Sequence, residues 1–217
     1  MPPTRDDART SATTAGPGDL RVTHDHLEVA ARKLGLRRAL RARRRARDAG
    51  EAADVDAALA RTLLTCPLVA GAHRVACYSS LPGEPGTRGV LAELRRHGVE
   101  VLLPVLLPDA DLDWEARPAR TGAGHGQDPG PLGPHAIATA DVVVVPALAV
   151  DTAGRRLGQG GGSYDRALLR VPPRVPVVAL VHDDELFDAA VSPLPVLPHD
   201  RPVHAVVTPT RWMPLTA

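Results

Sequence analysis

The sequence predicts an α/β protein in which one open, mostly parallel sheet is flanked by helices and preceded by a basic N-terminal helix. Short β-branched runs alternate with helical segments along most of the chain, and this alternation is typical of an open α/β sheet. Two of the runs, 141–150 and 175–181, are apolar at nearly every position, as are strands buried on both faces of a parallel sheet. We therefore expect a single α/β domain over residues 24–217.

The N-terminal part predicts a leader and two helices. Residues 1–23 are rich in Thr, Ala, Gly, Pro and charged side chains without an apolar period, which predicts a disordered leader. Over 27–46, Leu and Ala recur at helical spacing with Arg on the other faces, the pattern of a basic amphipathic helix. A second helix is predicted over 51–64, because Cys66-Pro67 breaks the pattern after it.

Strands and helices alternate after this point. The Gly- and Pro-rich stretch 120–134 predicts a long loop, and loops of that length are often functional. The remaining predicted elements are a strand at 75–79, a helix at 87–96 that ends before Gly98, and strands at 101–107, 141–150, 175–181 and 204–208.

Composition excludes several classes of function. Hydrophobic residues make up 44% and charged residues 24% of the 217 positions, the balance of a globular chain. A net charge of +1 and an aromatic content of 2% argue against nucleic-acid binding. Two cysteines are too few for a disulfide framework, and the apolar runs are too short to span a membrane. We predict a cytoplasmic protein without nucleic-acid or membrane partners.

The most informative segment is 156–166, which reads Arg-Leu-Gly-Gln-Gly-Gly-Gly-Ser-Tyr-Asp-Arg and lies between a predicted strand and a predicted helix. Glycines at such a position let backbone N–H groups approach an anion, so the segment predicts a phosphate cradle. It is not a Walker A motif, and Ser163 stands where a dinucleotide fingerprint has its third Gly. An ordinary tight turn is the alternative.

Four blocks, in order along the chain, resemble the 5-formyltetrahydrofolate cyclo-ligase family. The resemblance implies a Rossmann-like fold and an ATP-dependent ligase that converts 5-formyltetrahydrofolate to 5,10-methenyltetrahydrofolate with release of ADP and phosphate. Its implied cofactors are ATP and Mg²⁺, and its partner is the small-molecule folate. The blocks are 33–37, 78–87, 143–166 and 198–208.

The resemblance also assigns roles by position. Arg156 and Tyr164 are implied to be catalytic, and Asp165 and Asp200 to hold magnesium. The implied folate-binding residues are Ser79, Glu84, Gln159 and Ser163. The implied nucleotide-binding residues are Lys33, Arg37, Arg156, Leu157, Gly158, Gln159, Gly160, Gly161, Gly162, Ser163 and Tyr164.

Each of these residues also has a structural interpretation. Lys33 and Arg37 are four residues apart and share a helix face, so both can reach one triphosphate, but an Arg-rich helix usually presents a solvated basic face. Arg156 has the alternative of a surface ion pair, and Asp165 that of an acid in the first turn of a helix. Tyr78 is expected in the core. A solvated face is the expectation for Arg41, Arg43, Arg44, Arg45 and Arg47, and helix capping for the acids in 182–185.

The chain departs from the family pattern at several positions. Gln159 replaces a common Arg, which predicts weaker ATP binding and predicts that Gln159→Arg tightens it. Ser163 replaces a frequent Tyr, Glu185 stands where Gln is frequent, and residues 125–129 match the family only in part. The alternative function is therefore a non-catalytic folate or nucleotide binder of the same fold. A nucleic-acid module built on the Arg-rich helix is a third, and it predicts binding that weakens steeply with salt.

Overall fold

A computed structural model describes residues 17–119, 130–198 and 200–215, with the side chains of 17–24 and of Ala49 left out. Most of the predicted leader, most of the predicted 120–134 loop and His199 lie outside the described residues. The helices are α1 (Pro17–Arg45), α2 (Ala52–Leu64), α3 (Pro67–Ala70), α4 (Arg88–Arg96) and α5 (Ser163–Leu168), with 3-10 turns at Ala49–Glu51, Pro134–Thr139 and Asp183–Glu185. The strands are β1 (Arg74–Cys77), β2 (Glu100–Leu106), β3 (Leu112–Arg117), β4 (Val142–Pro146), β5 (Ala149–Asp151), β6 (Arg156–Leu157), β7 (Val177–Leu180), β8 (Leu186–Phe187), β9 (Ala205–Val207) and β10 (Trp212–Pro214).

The described part of the chain forms one seven-stranded sheet in the order β10-β9-β7-β4-β1-β2-β3. The five inner strands pair in parallel, with Val75 opposite Val101 on one side and opposite Val142 on the other. The edge strands β3 and β10 are antiparallel to their neighbours. This confirms the mostly parallel α/β sheet. A smaller sheet, β6-β5-β8, lies beside it.

Both faces of the large sheet are covered, which explains the continuous apolar runs. In β4, Val142 and Val144 pack with the α2 and α4 side, while Val143 and Val145 pack against α5 and the 134–139 turn. Successive strand residues point to opposite faces, so a strand buried on both sides must be apolar at every position. Leu40 of α1 joins a third cluster with Leu148, Ala149, Leu157 and Leu194.

Two predicted boundaries are wrong. The run 141–150 forms β4 and β5, which belong to different sheets. Pro146 has no N–H to continue the ladder, and the chain turns at Ala147 and Leu148 before β5 begins. The first helix begins at Pro17 and not at residue 27. Proline is accepted in the first turn because the N–H it lacks has no helical partner there.

The sheet order places a crevice beside β1. After β1 the chain adds β2 on one side and β4 on the other, and ligands of open α/β sheets bind outside the carboxyl ends of the strands at such a switch point. The loop 78–87 leaves the carboxyl end of β1, and Pro146 lies at that of β4. No helix in the described ranges is long and apolar enough to cross a membrane.

Candidate active site

A cavity of about 230 Å³ lies at this switch point. Its walls are the 78–87 loop after β1, the ends of β2 and β4, and the glycine loop, residues 158–162, before α5. The site residues that line it are Ser79, Glu84, Arg156, Gly158, Gln159, Gly160, Gly161, Gly162, Ser163, Tyr164 and Asp165. The structure therefore brings most of the predicted site together. Its other lining residues are Tyr78, Leu81, Pro104, Leu106, Leu112 and Pro146.

Two arginines of α1 fix the orientation of the glycine loop. Arg37 Nε donates to the carbonyl of Gly158 at 2.9 Å, and Arg41 Nη2 donates to that of Gln159 at 2.6 Å. In a trans peptide the C=O and the following N–H point in opposite directions, so the N–H groups of Gln159 and Gly160 point away from these arginines. Within the described residues, Gly160, Gly161 and Gly162 donate no hydrogen bond through their N–H groups. Free N–H groups of this kind are what a phosphate cradle requires.

Gly160 occupies a position that a side chain would disturb. Its φ is +100°, and a Cβ there would come within 3.2 Å of Arg37 Cζ. A residue with a side chain would therefore be strained and would push the guanidinium from the Gly158 carbonyl. Helix α5 has six residues, which is too short for a strong helix dipole. The anion-binding capacity of this loop rests on its N–H groups and on the arginines.

Arg156 is buried and faces the cavity from β6. Its Nη2 pairs with the Asp165 carboxylate, and its Nη1 lies 3.5 Å from the Pro146 carbonyl. Its Nε is buried and has no hydrogen-bond partner among the described residues. The ion pair predicted as the structural alternative is therefore present in the cavity wall, with Arg156 buried and Asp165 38% exposed. The unpartnered Nε leaves a donor for a ligand.

The two tyrosines of the cavity differ in their hydrogen bonding. Tyr78 is 2% exposed and donates its hydroxyl to the Pro85 carbonyl at 2.6 Å, which confirms its structural role. The Tyr164 hydroxyl is buried without a partner in the described chain. Burial raises the pKa of Tyr164 well above its ordinary value, so the hydroxyl remains a proton donor at neutral pH.

Glu84 is held in place from both sides of the crevice. Its Oε2 accepts the Leu81 N–H at 3.0 Å, and its Oε1 accepts the side-chain amide of Gln159 at 3.2 Å. Farther along the same loop, a Cβ at Gly86 would lie 1.9 Å from the Asp56 carboxylate of α2. The absence of a side chain at Gly86 leaves room for the Asp56 carboxylate, whose pKa is raised by burial although the Gly86 N–H lowers it. The loop that carries Glu84 therefore packs against α2.

Lys33 and Asp200 form an ion pair in which both side chains are largely buried. Asp200 also accepts the Leu197 N–H at 2.6 Å. Lys33 is 6% exposed, so the solvated basic face is wrong for this residue. Arg37 lies one turn further along α1 and contacts the glycine loop, so the pair is next to the cradle without lining the cavity.

The expected solvated face is also wrong for Arg44 of α1, whereas Arg43 and Arg45 are exposed as predicted. Arg44 is 6% exposed, and its Nε and Nη2 donate to both carboxylate oxygens of Glu185 at 2.7 and 2.8 Å. Its Nη2 also reaches the Ala147 carbonyl at 2.6 Å. Arg43 and Arg47 both pair with Asp184. These bonds hold a helix with few apolar contacts against the sheet, because buried charges must be paired.

The acids at 182–185 have a structural role. Glu185 Oε2 accepts the His182 N–H at 3.0 Å, which is a cap on the 3-10 turn, but the same carboxylate also pairs with Arg44. Burial lowers the pKa of His182, and the neighbouring Arg47 and Arg44 lower it further against the opposing charge of Glu185. The predicted capping is present, on a turn of three residues and not on a longer helix.

A second cavity of about 1080 Å³ lies between α1, α2 and the 80–86 loop. It shares Leu81, Glu84 and Gln159 with the smaller cavity, so these residues separate the two spaces. Its charged lining residues balance in sign and are Arg41, Arg44, Arg45, Arg47, Asp48, Glu51, Asp56 and Glu84.

The predicted metal ligands lie in separate ion pairs. Asp165 pairs with Arg156 and lines the smaller cavity, whereas Asp200 pairs with Lys33. Among the described residues there is no cluster of three or more Asp, Glu, His or Cys side chains placed to hold a metal. Mg²⁺ needs only one or two carboxylates when phosphate oxygens and water complete its shell. The half-exposed Asp165 fits such a ligand, and Asp200 fits it only after giving up Lys33.

Some predicted site residues lie elsewhere, and some site residues were missed. Leu157 is 1% exposed and packs in the core, so its side chain does not reach the cavity. Arg41 was missed, although it continues the four-residue spacing of Lys33 and Arg37 along α1. The apolar wall residues Leu106 and Leu112 were missed because no motif marks them.

A mostly parallel sheet with a glycine loop and a small cavity at its switch point defines an α/β protein of the ligand-binding type. The family model of the 5-formyltetrahydrofolate cyclo-ligase family matches residues 29–209. The chain is 42% identical over 147 residues to the 5-formyltetrahydrofolate cyclo-ligase of Mycolicibacterium smegmatis, covering 63% of this chain and 74% of that protein. It is 33% identical over 186 residues to the enzyme of the same name from Escherichia coli, covering 79% and 97%.

Solved structures agree with these relatives. The 5,10-methenyltetrahydrofolate synthetase of Aquifex aeolicus superposes with a TM-score of 0.67 at 25% identity, covering 85% of this chain and 93% of that chain. The fold of the synthetase from Mycoplasma pneumoniae matches with a TM-score of 0.62. The chain belongs to the 5-formyltetrahydrofolate cyclo-ligase family, a family of ligases. The resemblance drawn from four sequence blocks is confirmed.

Proposed function

We propose that this chain catalyses the ATP-dependent cyclisation of 5-formyltetrahydrofolate to 5,10-methenyltetrahydrofolate, with ADP and phosphate as the other products. One observation carries the proposal. The glycine loop, Glu84 and the unpartnered Tyr164 hydroxyl meet around one cavity at the switch point, in a chain of the cyclo-ligase family. No observation favours the non-catalytic alternative.

The chemistry requires an activated formyl group. A formamide carbonyl is a poor electrophile, so transfer of the γ-phosphoryl group of ATP to the formyl oxygen converts that oxygen into a leaving group. N10 of the same folate then attacks the formyl carbon and forms the new C–N bond. The C–O bond breaks, phosphate departs with the formyl oxygen, and N10 loses its proton. The protein must mainly position the two substrates and stabilise negative charge.

The residues of α1 and the glycine loop bind the nucleotide in this proposal. The N–H groups of Gly160, Gly161 and Gly162 take phosphate oxygens, and Lys33 and Arg37 supply positive charge from one face of α1. Arg156 stabilises charge on the transferring phosphoryl group through its unpartnered Nε. Preorganised donors of this kind act most strongly where water is excluded, and Arg156 is 8% exposed.

The folate lies across the cavity from the cradle. Glu84 accepts hydrogen bonds from folate N–H donors, while Ser79 and Ser163 border the ring and the reacting formyl group. Tyr164 donates its hydroxyl to the activated oxygen. The apolar wall, in which Leu106 is 67% exposed, faces the rings. This wall takes the place of the aromatic side chain that Ser163 does not supply.

Mg²⁺ accompanies ATP in this proposal. Asp165 would hold it together with phosphate oxygens, with Asp200 as the second carboxylate once Lys33 turns to the phosphates. When bound, the ion would neutralise charge on the phosphates.

A cytoplasmic location is also part of the proposal. Cys66 and Cys77 are buried free thiols, and free thiols are typical of proteins in a reducing compartment.

A direct assay tests the function. Protein, MgATP and 5-formyltetrahydrofolate are mixed, and formation of the methenyl product is followed by its absorbance together with ADP release. We expect product only when all three are present. Binding of both ligands without ADP release would support the non-catalytic binder instead. Gly160→Ala should abolish product by straining the loop at its positive φ and displacing Arg37, and Gly35→Ala, which meets no atom within 4 Å, is the matched control.

A further inference from the structure

The Gln159 side chain links Arg41 of α1 to Glu84 of the 78–87 loop. Its Oε1 accepts Arg41 Nε at 3.0 Å, and its Nε2 donates to Glu84 Oε1 at 3.2 Å. Its backbone carbonyl accepts a second bond from Arg41. One side chain of the glycine loop therefore contacts both the helix assigned to ATP and the carboxylate assigned to folate.

The chemistry of this position favours an amide. An amide side chain carries an acceptor and a donor, so glutamine can accept from Arg41 and donate to Glu84 at once. Arginine at 159 would have only donors and would bring a second guanidinium against Arg41. Glutamate would have only acceptors and would face Glu84 with a like charge. Among these residues only glutamine satisfies both neighbours.

Arg41, Gln159 and Glu84 form a bridge that lies where the two cavities meet. Gln159 and Glu84 line both spaces, and the Gln159 peptide is part of the nucleotide cradle. A phosphate bound to the cradle restrains this peptide, which holds the Gln159 amide and with it the Glu84 carboxylate. A ligand bound at the cradle or at Glu84 therefore holds the Gln159 side chain in the position that the other ligand requires.

We propose that the Arg41–Gln159–Glu84 bridge couples nucleotide binding in the glycine cradle to folate binding at Glu84. This inference rests on the proposed function and makes Gln159 and Arg41 positioning residues for folate. Coupling of this kind is reciprocal, so each ligand tightens the binding of the other by the same factor.

The bridge changes the expected effect of Gln159→Arg. From the sequence, this substitution should tighten ATP binding by restoring a missing cation. In the structure Arg41 already places a guanidinium beside Gln159, so a second one would add repulsion. We expect Gln159→Arg to leave ATP binding unchanged or weaker and to break the bridge to Glu84.

Calorimetry on the full chain tests the coupling without turnover. The dissociation constant of 5-formyltetrahydrofolate is measured with and without a saturating non-hydrolysable ATP analogue and Mg²⁺. We expect the analogue to tighten folate binding roughly fivefold in the unaltered protein, the lower end of usual coupling. In Gln159→Ala and in Arg41→Ala the ratio should fall close to one, with the melting temperature preserved.

Arg45→Ala is the matched control, because Arg45 is one turn beyond Arg41, lines the larger cavity and makes no ion pair within the described residues. It should retain the coupling of the unaltered protein. An unchanged ratio in Gln159→Ala, or no coupling in the unaltered protein when both ligands bind, would overturn the inference and leave the proposed function intact. Absence of folate binding altogether would instead count against the proposed function.

Discussion

Lys33 of α1 pairs with Asp200, which precedes β9 in the chain and lies 167 positions further on. The family resemblance implies a role in ATP binding for Lys33 and in magnesium binding for Asp200, and in the structure the two form an ion pair. The pair compensates two largely buried charges within the protein, and in the proposed function MgATP would supply an anion for the lysine and a cation for the carboxylate.

The first prediction is that Lys33→Ala raises the KM for ATP about tenfold or more, the cost of one charge-assisted hydrogen bond. The KM for folate should change much less. Because Asp200 then loses its ion pair with Lys33, the free energy of unfolding should fall by roughly 3 kcal/mol. Steady-state kinetics and urea unfolding measure the two effects.

The exposed Arg38 on the same helix provides the matched control, and Arg38→Ala should change neither quantity. An unchanged ATP requirement in a folded Lys33→Ala protein would remove Lys33 from the nucleotide site.

A second prediction concerns the carboxylate in the cavity wall. Asp165→Asn preserves volume but removes the charge that pairs with Arg156 and that fits a magnesium ligand, so turnover should fall by about a hundredfold or more, the loss typical of one charge-stabilising group. Turnover is measured over a range of Mg²⁺ concentrations, with Asp54→Asn on the exposed face of α2 as control. Full activity at high Mg²⁺ alone would show that Asp165 contributes only to metal affinity. Normal activity at every Mg²⁺ concentration would exclude Asp165 as a magnesium ligand.

The third prediction separates stability from chemistry at the Arg44–Glu185 pair. Arg44→Met leaves the buried Glu185 carboxylate without its bidentate partner, which should cost roughly 3 to 5 kcal/mol of unfolding free energy. The double variant Arg44→Met, Glu185→Leu removes both charges and should recover a large part of that loss. Equal stability of the single and double variants in urea would contradict a coupled pair, and Arg45→Met serves as the exposed control.

The fourth prediction is a pH dependence of stability that arises from His182. Burial lowers its pKa from the ordinary 6.5, so below this pH the unfolded chain takes up a proton that the folded chain does not. Stability should therefore fall as pH drops from 6.5 through the lowered pKa. Unfolding measured across pH 5 to 7 should show a shallower fall in His182→Gln than in the exposed control His135→Gln. Identical slopes would assign the effect to other groups.

The sequence predicted the central sheet and the cradle because both leave local signals. Continuous Val runs mark strands buried on both faces, and the glycine cluster between a strand and a helix marks a backbone that must approach a ligand. The antiparallel edge strand β3 was missed, although 112–117 alternates buried and half-buried residues. A strand of six residues that is apolar on one face only has a sequence much like that of a loop.

The docking of α1 could not be predicted from the same signals. Arg44 and Glu185 are 141 positions apart, and nothing in an Arg-rich helix shows which guanidinium meets a buried carboxylate. The bridge at Gln159 was missed for a related reason. The sequence showed only that a cation was missing there, whereas in the fold Arg41 from another element places a guanidinium beside Gln159.

In the proposed reaction, ATP activates the formyl oxygen of 5-formyltetrahydrofolate. This activation is tested most directly with substrate carrying ¹⁸O in the formyl group, followed by mass analysis of the phosphate released during turnover with MgATP. Because phosphate departs with the oxygen it was attached to, each phosphate should carry one ¹⁸O atom and one methenyl product should form per phosphate. Unlabelled phosphate, or methenyl product formed without ADP, would exclude activation of the formyl oxygen by ATP.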